Sequence, residues 1–436
     1  MRILLVGSGA REHALAKAVR RSPRGCDLVT FGSSTNPGIA ELSDHYLAGD
    51  INDPEAVVRL ALAEKTSLAV IGPEAPLAAG VVDALRDAGI AAVGPDQSMA
   101  RIESSKAYAR DLLARYEVPG GPRYQRFENL EGAEHFLRQL GDDFVVKADG
   151  LMGGKGVKVS GEHLNSHDEA LAYMQELAAG GSPWVVEEKL VGPEFSLISA
   201  TDGETLVHFP AVQDHKRAFE NDTGPNTGGM GSYTDTDHSL PFLEPADIAT
   251  ARQINTLATR ALRADHDRPY RGILYGGFMA TADGVRLIEY NARFGDPECM
   301  NLLTLLESDI VDLFEGMVGG NLHELEVSFA REATVCKYAV PEGYPEHPVK
   351  GFPIDISGVR HPDQLFLGAV DLVEGQLVGT GSRTAAVVGR GQSIAAAEAA
   401  AEEEINRIGG KLFHRPDIGT ASLIGQRIAL MGKLRG

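Results

Sequence analysis

Cysteine is nearly absent from this 436-residue chain: Cys26, Cys299 and Cys336 are the only three. Their odd number, wide spacing and lack of any C-x-x-C pair exclude a disulfide framework and a structural zinc site, and fit a reducing, cytoplasmic setting. Tryptophan occurs once. Long hydrophobic runs are missing as well. Ile3–Val6 is a short apolar stretch ending in Gly7-Ser8-Gly9, too short for the core of a secretory signal. No stretch approaches the ~18 apolar residues that span a bilayer. Lysine is scarce, with 12 residues, and six of them fall between Lys106 and Lys216. Basic residues are outnumbered, 41 Lys and Arg against 61 Asp and Glu, for a formal net charge of -20. Such a chain repels phosphate backbones and anionic lipid at long range, which excludes nucleic acid and membrane surfaces as main partners.

What is present is ordinary globular material, 43% hydrophobic and 23% charged, enough to bury a sizeable core in two to four domains. Over the first hundred residues, apolar strands at Ile3–Val6, Leu28–Phe31, Leu68–Ile71 and Ala91–Val93 alternate with helical patterns at about 12–21, 54–65 and 76–88. Alternation of this kind builds a parallel sheet covered by helices, with ligands at the carboxyl ends of its strands. Gly7-Ser8-Gly9-Ala10-Arg11 and Gly72-Pro73-Glu74-Ala75-Pro76 both lie at such ends.

After the linker Val118–Pro122 the pattern becomes mixed. Strands are expected at Phe144–Ala148, Val157–Ser160, Trp184–Glu188 and Phe195–Ala200, with a helix at about 167–179. A long polar, glycine-rich loop follows from Gln213 to Tyr233, then a helix at about 245–264 and strands Gly272–Ala280 and Val285–Asn291. From about residue 326 the chain is strand-rich, with a surface helix at about 393–407.

Several clusters carry chemistry. Gly7-x-Gly9-x-x-Glu12 opens like a dinucleotide fingerprint, with Asp27 near the ribose-acid spacing, but Glu12 replaces the third glycine and counts against NAD. A glycine turn before a helix, with Arg11 beside it, reads either as a phosphate site or as a structural turn. Lys147-Ala148-Asp149-Gly150 leads into Gly153, Gly154, Lys155 and Gly156, a glycine loop with a cation that is not a Walker A motif. Glu187, Glu188 and Glu194 end a strand and follow a turn, where carboxylates suit ribose hydroxyls. Glu289, Asn291 and Arg293 alternate onto one strand face. Carboxylate and amide oxygens suit Mg²⁺, and an arginine beside them suits a transferring phosphoryl group. In Gln213-Asp214-His215-Lys216-Arg217, Asp214 can hold an amine and Lys216 an anion, whereas a lone His215 is more often structural.

Together these motifs resemble the ATP-grasp superfamily and, within it, the glycinamide ribonucleotide synthetases. Ser105-Lys106, Thr223–Gly231 and Asn291–Glu298 belong to the same resemblance, which spans the first two thirds of the chain. It implies an α/β and α+β multidomain architecture: a Rossmann-like parallel-sheet domain at 1–103, an ATP-grasp domain at 104–325 with a mobile glycine-loop subdomain at about 123–195, and a small strand-rich domain at 326–436. It implies ATP-dependent ligation of glycine to 5-phosphoribosylamine through glycyl phosphate, with Mg²⁺ or Mn²⁺, by a cytoplasmic monomer in transient contact with the preceding enzyme of its pathway. The roles it implies are ATP phosphates on Lys106, Lys147 and the 153–156 loop, adenine beside Glu187, Glu188 and Leu190, and ribose on Glu194. Metal would lie on Glu289 and Asn291, and phosphoribosylamine on Gly9, Arg11 and Glu74. Arg293, Asp214 and Lys216 would stand at the reacting groups. Competing expectations are another ATP-grasp ligase or carboxylase, an NAD-dependent dehydrogenase, and a nucleotide-binding regulator without catalysis.

Overall fold

The computed structural model describes residues 1–152 and 156–436, so Gly153, Gly154 and Lys155 lie outside the described residues. The N-terminal strands β1 (Arg2–Val6), β2 (Asp27–Gly32), β3 (His45–Ala48), β4 (Leu68–Ile71) and β5 (Ala91–Val93) pair in parallel in the order β3-β2-β1-β4-β5. The order reverses between β1 and β4, which opens a crevice at their carboxyl ends. Both glycine turns noted in the sequence stand there, one after each strand. Strand β3 has no apolar run because it is a largely exposed edge strand, so period and hydrophobicity did not reveal it. The single helix expected at 76–88 is two, Glu74–Ala78 and Val81–Asp87, broken where Gly80 adopts φ 85°.

Next come β6 (Tyr124–Phe127), β7 (Phe144–Ala148), β8 (Val157–Val159) and β9 (Trp184–Glu188), an antiparallel sheet ordered β6-β9-β7-β8. Helices Ala133–Leu140 and His167–Ala179 pack on it. Its core of Phe127, Leu137, Phe144, Met174 and Trp184 is separate from the main core of the chain. A unit with its own apolar core can move and open as one body.

The strands β10 (Glu194–Thr201) and β11 (Leu206–His208) begin the third unit. The segment expected as a polar loop then proves ordered into β12 (Gln213–Asp214), β13 (Arg217–Phe219), β14 (Thr223–Asn226) and β15 (Gly231–Thr234). After helix Pro245–His266 come β16 (Gly272–Thr281) and β17 (Gly284–Asn291), completing a sheet ordered β11-β10-β16-β17. The C-terminal strands are β18 (Ala333–Pro341), β19 (Leu365–Leu367), β20 (Val370–Val373), β21 (Gln376–Gly379), β22 (Ala385–Gly391) and β23 (Leu412–Phe413). Of these, β18 pairs with β15 over Gly231 to Thr234, so β12 and β15 are the edge of a sheet whose other strands come from the C-terminal region. Strands β12 and β15 escaped prediction because β18, the strand that completes their pairing, lies far along the chain, whereas β13 and β14 pair with each other.

The Ala/Glu-rich helix Ile394–Ile405 is not simply a surface helix. Ala397 and Ala401 are fully buried against the sheet. Gly391 permits the approach, since a Cβ there would stand 2.7 Å from the Ala396 Cβ. Among the described residues no helix is long and apolar enough to cross a membrane.

Leu137 is fully buried in the separate core of the β6–β9 unit. Leu137→Ala should destabilise that unit by ~2–5 kcal/mol through cavity formation. Hydrogen exchange should accelerate between residues 124 and 188 and stay unchanged in β1 and β4; uniform acceleration would mean that the unit has no stability of its own.

Candidate active site

The N-terminal sheet, the β6–β9 sheet, the β10–β17 sheet and the β12 edge of the C-terminal sheet border one cleft of about 800 Å³. Its walls include Arg11, Glu74, Lys106, Lys147, Gly156, Glu187, Glu194, Asp214, Lys216, Glu289, Asn291 and Arg293, so most of the residues singled out in the sequence converge. Gly9, Glu188 and Leu190 are not part of the wall.

On the glycine-loop side a buried carboxylate organises two cations. Glu187 Oε1 accepts from Arg110 Nε at 2.6 Å and Oε2 from Arg110 Nη2 at 3.0 Å, while Lys147 Nζ sits 2.7 Å from Oε2. Burial works against ionisation of Glu187, but Arg110 and Lys147 outweigh it and hold the carboxyl down at about 2. Glu187 therefore fixes Lys147 rather than offering itself to a base. Its neighbour Glu188 is turned to the other face of β9 by strand alternation, where Arg123 and Arg286 bind it at 2.9 and 2.6 Å. Lys106 opens helix Lys106–Arg115. Its N–H donates to Asp149 Oδ1 at 2.5 Å, and its Nζ donates to the Gly150 carbonyl at 2.9 Å. Asp149 thus caps a helix and ties down the near end of the glycine loop. Burial lowers the Lys106 pKa from its ordinary value.

Across the cleft, Glu289 pairs with Gly277 and Asn291 with Tyr275 in the β16–β17 ladder, and both side chains reach the cleft. Glu289 is half-buried, which works against its ionisation, yet Lys216, Lys147, Lys106 and Arg293 together hold its carboxyl below the usual range. Lys216 Nζ lies 3.8 Å from Glu289 and 3.6 Å from Glu194. Among the described residues there is no cluster of three His, Cys, Asp or Glu that could cage a metal by itself. A carboxylate and an amide oxygen side by side do fit a hard divalent cation that keeps waters and takes its remaining ligands from phosphates.

The third wall holds charge of both signs. Arg293 Nη2 contacts Glu103 at 3.0 Å and its Nε lies 3.5 Å from Glu74. Burial raises the Glu103 pKa, while Arg293 itself is raised by Glu103 and Glu74 against the effect of burial. Arg11 donates to Glu12 at 2.6 Å and to the Phe294 carbonyl at 3.3 Å. The other Glu12 oxygen accepts the Gly9 N–H at 2.7 Å. A Cβ on Gly7 would stand 2.6 Å from the Glu12 Cγ. The glutamate that broke the dinucleotide fingerprint therefore fills the glycine turn, and the expected phosphate contact at the Gly9 N–H is already taken. Asp214 has one buried oxygen, Oδ1, without a hydrogen-bond partner. Burial and the neighbouring Glu298 raise its pKa well above the ordinary carboxyl range. Glu298 is itself buried and accepts the Tyr275 hydroxyl at 2.9 Å.

Four residues of this wall escaped the sequence reading: Glu103, Arg110, Glu298 and Arg383. Glu298 stood inside a motif without a role; the other three carry no local signal and are recruited by folding. Arg383 Nη1 donates to the carbonyls of Gly228 and Asp296 at 2.7 and 2.9 Å and pairs with the Asp296 carboxylate at 3.1 Å. It brings the C-terminal region into the cleft, as do Arg427 and Leu430.

A nucleotide-sized cleft under a separately cored glycine-loop sheet, with lysines on one side and a metal-competent strand face on the other, defines an ATP-grasp enzyme. Family models agree. Residues 1–103 match the phosphoribosylglycinamide synthetase N domain, 104–299 its ATP-grasp (A) domain and 334–421 its C domain. The chain belongs to the phosphoribosylglycinamide synthetase family. It is 48% identical over 436 residues to phosphoribosylamine–glycine ligase of Methanosarcina barkeri and 45% identical over 445 residues to that of Methanocaldococcus jannaschii, in both cases across the whole of each chain. The crystal structure of phosphoribosylamine–glycine ligase from Thermotoga maritima superposes with a TM-score of 0.82 at 27% identity, covering 96% of this chain and all of that one. The biotin carboxylase domain of a Hydrogenobacter thermophilus 2-oxoglutarate carboxylase shares the fold at 15% identity, with a TM-score of 0.72 over 99% of this chain and 93% of that one.

Glu187→Gln leaves Arg110 and Lys147 buried without a countercharge, which should cost about 3–5 kcal/mol and loosen Lys147. The folded carboxyl titrates at about 2 against an ordinary 4.5. Its ion pairs therefore stabilise the fold fully above the ordinary value and lose that effect as the pH falls towards the folded one. The difference in melting temperature between wild type and Glu187→Gln should be constant near neutrality and shrink under acid; a constant gap at all pH values would remove the carboxylate charge from the explanation.

Proposed function

We propose that this cleft joins glycine to 5-phosphoribosylamine by way of glycyl phosphate. The overall reaction consumes ATP, glycine and phosphoribosylamine and yields ADP, phosphate and glycinamide ribonucleotide, a carbon–nitrogen ligation of purine synthesis. The observation that carries the stepwise reading is the meeting of Glu289, Asn291 and Arg293 with Lys106, Lys147 and Lys216 around one space. Such an array neutralises a transferring phosphoryl group and offers no covalent nucleophile.

A glycine carboxylate and an amine do not condense in water, because the carboxylate is a poor electrophile with no leaving group. In the first step a glycine carboxylate oxygen attacks the γ-phosphorus, the bond from phosphorus to the β–γ bridging oxygen breaks, and ADP leaves. Lys106 and Lys147 hold the phosphates on the nucleotide side. Glu194, at the mouth of the cleft, suits the ribose hydroxyls. Lys216 and Arg293 face the transferring group from the other side. A divalent cation, Mg²⁺ or Mn²⁺, would be held by Glu289 and Asn291 and would supply charge neutralisation to the phosphates.

In the second step the phosphoribosylamine nitrogen attacks the acyl carbon, the carbon–oxygen bond to phosphate breaks, and the nitrogen gives up a proton. Asp214 is the acceptor we assign, because its Oδ1 is buried, unpartnered and held at a raised pKa beside Glu298. Arg11 and Arg293, with Glu74 between them, and the cleft-facing part of Arg383 line the space for the phosphorylated sugar. With Glu12 in the glycine turn, that phosphate is assigned to arginines rather than to the Gly9 N–H.

Glycine labelled with ¹⁸O in its carboxylate should deliver one label to the released phosphate; unlabelled phosphate would sink the acyl-phosphate step. Glu289→Gln should lower kcat by at least a hundredfold at ordinary Mg²⁺, with partial recovery at high metal concentration. Near-normal turnover would take Glu289 out of the metal shell.

A further inference from the structure

A second cavity, of about 770 Å³, lies away from the cleft. Helices Ala10–Arg20 and Pro37–Leu42 form one wall, and the C-terminal region from Ile356 to Leu377 forms the other. Its surface is mostly apolar, with Leu42, Leu303, Ile356, Phe366, Leu372 and Leu377 facing inward. Its charge runs against that of the chain: Lys17, Arg20, Arg21 and Arg390 outnumber Glu41 and Asp363 there, in a protein of net charge -20.

Some of those cations are already used. Lys17 Nζ donates to the carbonyls of Pro362, Asp363 and Leu365 at 2.7, 3.1 and 2.6 Å. Arg20 is bound to Leu42, Cys26 and Asp44. Arg21 is different: Nη2 donates to the Leu303 carbonyl at 2.5 Å, and among the described residues Nε and Nη1 have no partner. Arg390 gives Nε and Nη2 to Glu332 at 2.7 and 2.6 Å, leaving Nη1. Two exposed guanidinium edges thus share the mouth of an apolar cavity, and partial desolvation together with the charge of Arg390 lowers the Arg21 pKa from its ordinary value. An anion between them relieves that repulsion.

We propose that this cavity binds a small organic anion with an aromatic ring, its charged end between Arg21 and Arg390 and its ring against Leu42, Leu372 and Leu377. Such a ligand would act on the cleft through two helices. Helix Ala10–Arg20 carries Arg11 at the cleft, and His13, Ala14 and Lys17 at the cavity. Helix Glu298–Leu305 presents Glu298 beside Asp214 at one end and Leu303 and Thr304 to the cavity at the other. The assignment stands on the cavity itself and does not depend on the glycyl phosphate route.

The probe is 1-anilinonaphthalene-8-sulfonate, followed by fluorescence on the intact enzyme with its nucleotide cleft saturated by MgADP. One saturable site is expected. Arg21→Ser with Arg390→Ser should weaken it about tenfold or more, the scale of two lost charge-assisted hydrogen bonds. Leu372→Trp, on a side chain 51% exposed and so tolerant of change, should block it by filling the mouth. Uncharged N-phenyl-1-naphthylamine should bind at least tenfold more weakly than the sulfonate. Ligase activity without probe should be unaltered in every variant. Absence of a saturable site, equal binding of the neutral dye, or binding that neither the arginine pair nor Leu372→Trp disturbs would overturn the proposal. Should the arginine variant fail to fold by circular dichroism, Leu372→Trp decides.

Discussion

One buried carboxylate holds the nucleotide side of the cleft in shape. Glu187 belongs to β9 of the separately cored sheet; Arg110, on helix Lys106–Arg115, belongs to the body. Their two-point pairing joins the separately cored unit to the body, and the same carboxylate restrains Lys147. Arg110 also donates to the Ile288 carbonyl at 2.5 Å, on the strand that carries Glu289. Four elements that must converge on a triphosphate are thus linked through a single acid. Buried ion pairs of this sort add little net stability over an apolar substitute, but they fix geometry, and geometry is what phosphoryl transfer requires.

The acidity of the chain gains meaning beside this arrangement. A net charge of -20 argues against polyanion surfaces, yet the chemistry handles two phosphorylated substrates and a carboxylate. The cleft resolves the conflict locally. Lys106, Lys147, Lys216, Arg11, Arg293 and Arg383 are concentrated in it, and all but Lys106, which is held by the Gly150 carbonyl, pair with an acid. Those acids keep the cations from repelling one another before substrate arrives.

Much of this was legible in the sequence. Alternating apolar strands and helices located β1, β2, β4 and β5, and period-two spacing put Glu289 and Asn291 on one face of β17. Local signals stopped where partners were distant. Strand β3 is exposed and lacks an apolar run. Strands β12 and β15 look like loop because the strand that orders them is β18, while β13 and β14 form a short two-stranded sheet of their own. Glu188 shared a motif with Glu187, but strand alternation turned it away from the cleft. Gly9 looked like an anion-binding amide until Glu12 occupied it. Arg110, Glu103 and Arg383 sit in unremarkable stretches, and only the tertiary fold gives them work.

The pairing of β15 with β18 also bears on how the protein is made. Asp214 and Lys216 hang from the edge of a sheet whose next strand begins at Ala333, about a hundred residues later. At ribosomal speed that separation is about 5–20 s of synthesis. Nascent chains therefore carry Lys106, Lys147, Glu289 and Asn291 before the sheet that holds Asp214 has formed. Arg383 arrives later still, so the cleft wall is complete only after residue 383 has emerged.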